Sequence, residues 1–108
     1  MLSQAQREQL QNCDITRRKM TVVLELEGVD EELWPRIECK VPTVNQQNEI
    51  IYNDVNQLWD IVTGWSNMYD PETGEEIEYT QEAIDSLPVT VVQSMAAEVC
   101  VAPMRKKK

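Results

Sequence analysis

The sequence has no histidine, only three glycines and only three cysteines among its 108 residues. Without histidine, the chain lacks the side chain that most often moves protons near neutral pH and the commonest nitrogen ligand of zinc. Gly28, Gly64 and Gly74 stand too far apart to form a phosphate-binding loop. We therefore expect that the protein is not an enzyme and that it holds neither a cofactor nor a metal ion.

The cysteines, Cys13, Cys39 and Cys100, are odd in number and widely separated. This pattern is typical neither of a disulfide framework nor of a paired-thiolate metal site, so we expect free thiols, buried or partly buried, in a reducing compartment. No apolar run is long enough to cross a bilayer, and residues 1–10 are too polar for a signal peptide. These features predict a cytoplasmic protein with no membrane partner.

Basic residues are missing from the larger part of the chain, whose net charge is −9. Residues 41–104 contain eleven acidic residues and no lysine or arginine. A nucleic-acid interface needs cations on one face to neutralise phosphates, so we expect no nucleic-acid partner. The cations concentrate in residues 15–20, "ITRRKM", and in residues 103–108, which we interpret as a basic tail.

Alternating polarity predicts an antiparallel β-hairpin over residues 21–41. The apolar side chains expected on its inner face are Val22, Leu24 and Leu26 in the first strand and Ile37, Cys39 and Val41 in the second. Pairing of Glu25 or Glu27 with Arg36 or Lys40 would favour the antiparallel arrangement, and Trp34 is expected to cover one end of the pair. Before the hairpin, residues 1–19 are interpreted as a polar N-terminal segment or a short helix.

Helices are predicted at about residues 44–64, 81–87 and 89–101. Capping residues precede them: Thr43 with Gln46 forms a capping-box pattern, Thr80 is a cap, and Pro88 can occupy a first turn. The first helix is expected to end near Gly64. The expected apolar faces are Ile51, Val55, Leu58 and Val62 in the first helix, Ala83, Ile84 and Leu87 in the second, and Val92, Met95, Ala96 and Val99 in the third. Because two strands alone are marginal in water, the helices must cover the hairpin. The expected fold is a small single α+β domain, residues 20–102, with an N-terminal antiparallel hairpin packed against about three C-terminal helices.

The acidic segment "DPETGEEIE", residues 70–78, does not match a calcium-binding loop. Counted from Asp70, Gly74 is the fifth residue and Gln81 the twelfth, whereas an EF-hand needs glycine at the sixth position and a bidentate carboxylate at the twelfth. Glu75 and Glu78 could act as an acid–base pair only in a desolvated cleft, of which a turn rich in repelling carboxylates gives no sign. We interpret the segment as a solvated turn.

The tryptophans, Trp34, Trp59 and Trp65, admit two interpretations. They can be core or core-edge residues, which is the usual position of aromatic side chains at helical spacing. Alternatively, one of them can anchor a partner, because tryptophan is enriched at the energetic centres of interfaces. A chain this short need not bury all of its apolar stripes, so partner binding remains open where catalysis does not.

Residues 58–88 read "LWDIVTGWSNMYDPETGEEIEYTQEAIDSLP". They combine a V-x-x-W element at 62–65, a turn with Asp70 and Gly74, a Glu-apolar-x-aromatic-Thr step at 76–80 and an E-A-apolar-x-x-L helix at 82–87, after a Val-Pro entry at 41–42. In order and spacing, over residues 41–100, this pattern resembles the tail assembly chaperones of long-tailed phages and prophages.

The resemblance implies a non-enzymatic protein that binds the tape-measure protein and keeps it soluble in the host-cell cytoplasm while the tail tube assembles. The tail tube protein is a second candidate partner. The sequence leaves the subunit count open, although apolar faces on so short a chain are compatible with a homo-oligomer. The partner-binding residues that we expect are Trp59, Val62, Trp65 and Met68, supported by Met95 and Val99.

A second hypothesis is that the protein is an acidic decoy, which mimics DNA and inhibits a nucleic-acid-binding protein. The uninterrupted acidic composition permits this function. However, the carboxylates concentrate within residues 70–85 instead of spreading at phosphate-like intervals.

Overall fold

In the computed structural model, which describes residues 1–104, a three-stranded antiparallel sheet packs one face against helical segments. The strands are Lys19–Val23 (β1), Arg36–Lys40 (β2) and Val62–Ser66 (β3), in that spatial order. The α-helices are Gln4–Asn12 (α1), Val44–Asn48 (α2), Gln81–Ser86 (α3) and Val89–Val101 (α4). A π-helical turn spans Glu49–Asn53, and 3₁₀ turns span Glu31–Leu33, Val55–Asp60 and Ala102–Met104. The predicted α+β class is confirmed, whereas residues 105–108 of the predicted basic tail lie outside the described residues.

The predicted hairpin is confirmed, and buried and exposed residues alternate along both of its strands. Met20 and Val22 of β1 face the core together with Ile37 and Cys39 of β2. This alternation follows from the two-residue period of a strand, which sends neighbouring side chains to opposite faces. Leu26, which we expected on the inner face, lies beyond β1 and is partly exposed.

The hairpin does not place the predicted glutamates opposite the predicted basic residues. Lys19 lies opposite Lys40. The strand ends at Val23, so Glu25 and Glu27 lie beyond it and opposite no basic residue. The predicted cross-strand ion pairs are therefore wrong. A physical reason is Pro35, which accepts a hydrogen bond from the Leu24 N–H at 2.9 Å but has no N–H to return one, so the ladder cannot continue.

Trp34 closes the long connection between β1 and β2. Its indole N–H lies 2.9 Å from the Val29 carbonyl oxygen and 3.1 Å from that of Leu26. Gly28, in the same loop, has a φ of +79°, a conformation that glycine adopts without strain. The indole thus covers one end of the hairpin, as the sequence predicted.

The single helix predicted for residues 44–64 is wrong. Its start is correct, since Thr43 and Gln46 form a capping box in front of α2. However, Asp54 is extended, with φ −150° and ψ 110°, and its carboxylate accepts the Asn56 N–H at 2.9 Å. A side chain that caps a new turn in this way competes with continuation of the helix. The chain therefore breaks at Asp54 and restarts as a 3₁₀ turn.

The end of the predicted helix is a strand. β3 pairs antiparallel with β2, with Trp65 opposite Ile37 and Gly64 opposite Glu38. Lys40, at the end of β2, donates its N–H to the Ile61 carbonyl at 2.8 Å, so β3 satisfies backbone groups that the hairpin alone would leave open. Gly64 thus lies within a strand and does not terminate a helix.

The core lies between the inner sheet face and α4. Val92, Met95, Ala96 and Val99 are all buried, as predicted. The apolar face of the earlier segment differs from the prediction by one residue, because Ile50 is 4% exposed and Ile51 is 52% exposed. The predicted face assumed an unbroken α-helix, whereas a π-helical turn and the break at Asp54 shift its phase.

The N-terminal helix α1 stands apart from this core. A capping box between Ser3 and Gln6 starts it, and none of its residues is buried. The molecule is accordingly elongated, with principal extents of 51 × 32 × 27 Å. Of the two interpretations of residues 1–19, a polar segment or a short helix, the structure shows the short helix.

Candidate functional site

Three aromatic rings join β3, the Val55–Asp60 turn and the segment that follows the acidic turn. The rings of Trp59 and Trp65 meet edge to face at a centroid distance of 6.4 Å, and those of Trp65 and Tyr79 at 4.8 Å. Trp65 donates its indole N–H to the Ile77 carbonyl at 2.7 Å, and Tyr79 donates its hydroxyl to the Val62 carbonyl at 3.1 Å. Burial raises the pKa of the Tyr79 phenol. The cluster holds the chain on both sides of the acidic turn in one position.

The acidic turn is a short hairpin-like loop. The Gly74 N–H donates to the Asp70 carbonyl at 2.8 Å, and the Asp70 N–H donates to the Glu75 carbonyl at 2.9 Å. Its tip is an Asx turn in which the Asp70 carboxylate accepts the Glu72 N–H at 2.8 Å. Gly74 has a φ of +75°, which favours glycine. Glu72 and Glu75 are exposed, and residues 1–104 contain no group of three or more potential ligands arranged to hold a metal ion.

Beyond the turn, α3 and the start of α4 face the Val55–Asp60 turn. The Thr80 hydroxyl caps α3 by accepting the Ala83 N–H at 3.1 Å, as predicted. Pro88 occupies the cap position of α4, where its missing N–H costs nothing, so the chain turns directly from one helix into the next. Two helix ends and one 3₁₀ turn therefore surround a common space.

That space is a groove of about 450 Å³. The residues that line it are mainly apolar and come from all three elements: Val55, Asn56, Trp59, Gln81, Ile84, Asp85, Leu87, Val89 and Val92. Val89, at the first position of α4, is 65% exposed, so an apolar side chain stands open to solvent at the groove. A mainly apolar concave surface with a few polar groups is the usual form of a binding site.

The surroundings of the groove are acidic. Asp85 lines it, and the exposed Asp54 and Asp60 lie just before the Val55–Asp60 turn and at its last position. Since residues 41–104 contain no lysine or arginine, this part of the chain supplies no cation to neutralise them. The groove therefore favours a ligand that combines apolar surface with positive charge.

The six residues predicted to bind a partner divide into two groups. Val62, Met68, Met95 and Val99 are at most 5% exposed and belong to the core, so a partner of the folded domain cannot contact them. Trp59 lines the groove, and Trp65 supports its ring while remaining half-buried itself.

Sequence reasoning missed Val55, Ile84, Leu87 and Val89 as candidate contacts, although all four line the groove. It had assigned Val55, Ile84 and Leu87 to the apolar faces of helices, which gave no indication that they meet. Val89 follows a proline in "LPVTVV" and carries no signal that separates it from the core residue Val92. The groove depends on tertiary contacts and has no motif of its own.

The cysteines are free, but they differ in environment. Cys39 and Cys100 are buried, and burial raises the pKa of both thiols, that of Cys39 to about 11. Cys13 is exposed at the end of α1, which corrects the expectation that all three would be at least partly buried. Hydrogen bonds from the backbone of Ile15 and the side chain of Thr16 lower the pKa of Cys13.

None of the helices within residues 1–104 combines the length and the apolar character that a membrane crossing requires. In comparisons with known proteins, no family model, no curated protein and no solved structure matches the chain.

Proposed function

We propose that the protein is a non-catalytic tail assembly chaperone that binds the tape-measure protein of a long-tailed phage in the host-cell cytoplasm. The observation that carries the proposal is the groove beside Trp59, whose lining is mainly apolar and includes Asp85, in a part of the chain that has no lysine or arginine. The order of motifs in residues 41–100, which resembles that family, supplies the identity of the partner.

The groove suits one face of an amphipathic helix. Binding of a helix in a groove depends on a few apolar anchors, and the exposed Val89 and the half-buried Trp59 offer complementary surface for them. Lysine or arginine residues beside the client's apolar anchors would be attracted to Asp54, Asp60 and Asp85. This attraction raises the association rate and disfavours acidic clients.

The net charge of −9 supports the chaperone role. A long helical client exposes apolar seams before the tail tube covers them, and such seams aggregate. Coating the seams with a protein of high net charge makes the coated complexes repel one another. The absence of histidine from the chain fits a function that requires no proton transfer.

The proposal can be tested by co-expression with a long helical protein encoded beside this chain, followed by pull-down and by titration with a purified client segment. Val89→Asp places a charge in the apolar groove without disturbing buried residues, because Val89 is mostly exposed. We expect client affinity to fall by about tenfold or more, as for loss of an interface anchor.

Val44→Asp is the matched control. Val44 is the first residue of α2 as Val89 is of α4, it is 74% exposed, and it does not line the groove. Aspartate in a first helical turn favours either helix, so both variants should remain folded. Equal affinity for the two variants would contradict the groove as the binding site. Salt-sensitive competition with DNA for a binding protein, without any binding to the helical client, would favour the acidic decoy instead.

A further inference from the structure

The outer edge of β1 has an unpaired backbone. The Leu24 N–H donates to Pro35 at 2.9 Å, and the Arg18 carbonyl accepts the Val41 N–H at 2.8 Å, so the even-numbered residues of this segment face β2. By the alternation of an antiparallel ladder, Lys19, Thr21 and Val23 direct their N–H and carbonyl groups away from β2. Within residues 1–104 no other strand pairs with β1.

The opposite edge of the sheet is not open in the same way. On β3, the Val62 carbonyl accepts the Tyr79 hydroxyl at 3.1 Å, and the Trp65 indole is bound to Ile77. The segment after the acidic turn therefore lies along β3 and obstructs a further strand there. An unpaired edge such as that of β1 is a template for another extended chain.

The charges around β1 change sign from its beginning to its end. Arg17, Arg18 and Lys19 stand at the beginning, and Glu25 and Glu27 follow the end. Within the described chain Lys19 faces another cation, Lys40, across the hairpin, and like charges in that position destabilise a sheet. The ion pair observed in this region joins Arg17 to Asp14 at 3.7 Å and involves neither glutamate.

A strand with a positive beginning and a negative end is complementary to its own antiparallel copy. We propose that β1 pairs with β1 of a second copy of this chain about a two-fold axis at Thr21, which joins the two sheets into one of six strands. In this register the outward groups of Thr21 bond the second copy's Thr21, and Lys19 lies opposite the second copy's Val23. Arg17 then lies opposite the second copy's Glu25, and each contact occurs twice.

An axis at Thr21, the middle residue of β1, pairs the whole strand with its copy. An axis at Val22 would also pair outward-facing residues and would set Lys19 opposite Glu25, but a mixture of the charge-reversed variants described below restores opposite charges only in the Thr21 register. Pairing over five residues buries less area than the roughly 1,200 Å² of a stable interface, so the dimer is weak and concentration-dependent. The self-association leaves the groove beside Trp59 free, and it does not depend on the proposed client.

The first test uses the full chain in sedimentation experiments over a concentration series from micromolar to millimolar. Thr21→Pro removes an outward N–H and no bond to β2, since proline is tolerated at the open edge of a sheet. We expect it to raise the dissociation constant of the dimer by about tenfold or more, as for loss of one or two hydrogen bonds. Thr21→Val, which keeps the N–H, is the control and should associate at least as well as the unmodified chain.

The second test distinguishes strand pairing about Thr21 from any other mode of self-association. It also tests the proposal if the Thr21→Pro variant does not fold. Arg17→Glu and Glu25→Arg change exposed or half-buried side chains, and each alone should weaken the dimer by setting like charges opposite each other. An equimolar mixture of the two variants should associate as well as the unmodified chain, because opposite charges face each other again at both contacts.

Three results would overturn the proposal. They are an unmodified chain that stays monomeric throughout the series, a folded Thr21→Pro variant that dimerises like Thr21→Val, and a mixture that associates no better than its components. Val89→Asp should dimerise normally, so failure of client binding and failure of self-association are distinguishable.

Discussion

Met95 is the position at which a core role and a partner-binding role lead to opposite expectations. It lies on α4, is 0% exposed and packs within the core cluster. Met95→Ala removes the thioether end of the side chain and leaves a cavity, which we expect to cost about 3 kcal/mol, within the range for large-to-small core substitutions. For a domain of this size each kcal/mol corresponds to about 4 °C in Tm, so Tm should fall by about 12 °C.

The measurement is thermal and urea unfolding, followed by circular dichroism and tryptophan fluorescence. The midpoint should fall while the slope with denaturant stays constant, because the surface exposed on unfolding hardly changes. A small domain has a total stability of about 5–15 kcal/mol, so the variant should remain folded in the cold. Under those conditions its affinity for a client should equal that of the unmodified chain.

Met104→Ala provides the control, because Met104 is 65% exposed and its substitution should change stability by less than about 0.5 kcal/mol. If Met95→Ala were equally harmless, the placement of α4 against the sheet would be refuted. Retained stability with lost client binding would return Met95 to the interface, as the sequence first indicated.

Three further predictions concern the aromatic cluster and the thiols. Tyr79→Phe should lower the unfolding free energy by about 1 kcal/mol in urea titration, because it removes the hydrogen bond to Val62; no change would contradict that contact. A disulfide reagent at pH 8 should modify one thiol rapidly, Cys13, and the buried Cys39 and Cys100 slowly, so Cys13→Ser should abolish the fast phase in absorbance. Burial raises the pKa of Cys39 to about 11, so its contribution to stability is complete below the ordinary thiol pKa of 9 and is lost as pH rises through 11. In urea titrations between pH 9 and 11, the unfolding free energy of Cys39→Ala should depend less on pH than that of the unmodified chain. The same pH dependence in both proteins would contradict the raised pKa of Cys39.

The elements that the sequence predicted correctly are those whose signals are local. The alternation around Val22 and Ile37 reflects a two-residue period that a half-buried strand imposes whatever lies beside it. Thr43 and Thr80 satisfy free N–H groups within the next turn, so their capping role needs no distant contact. The buried face of α4 follows from the helical period in the same way.

The third strand could not be predicted by these means. Residues 55–66 contain apolar spacing compatible with a helix, and what decides against it is the unpaired edge of β2, nearly thirty positions away in the chain. Backbone groups at that edge are satisfied by β3, and local propensity gives way to this non-local bonding. The error in phase at Ile50 and Ile51 has a local origin, since the predicted helix ignored the π-helical turn and the break at Asp54.

The groove likewise depends on the folded molecule. The sequence indicated that Trp59 was a candidate contact and that residues 41–104 were acidic, because composition and order are properties of the chain itself. It did not separate Trp59 at the groove from Met95 in the core, since both occupy apolar positions in a periodic pattern. Which apolar face meets a neighbour and which meets water depends on how the helices and the sheet pack, because burial is a property of pairs of surfaces.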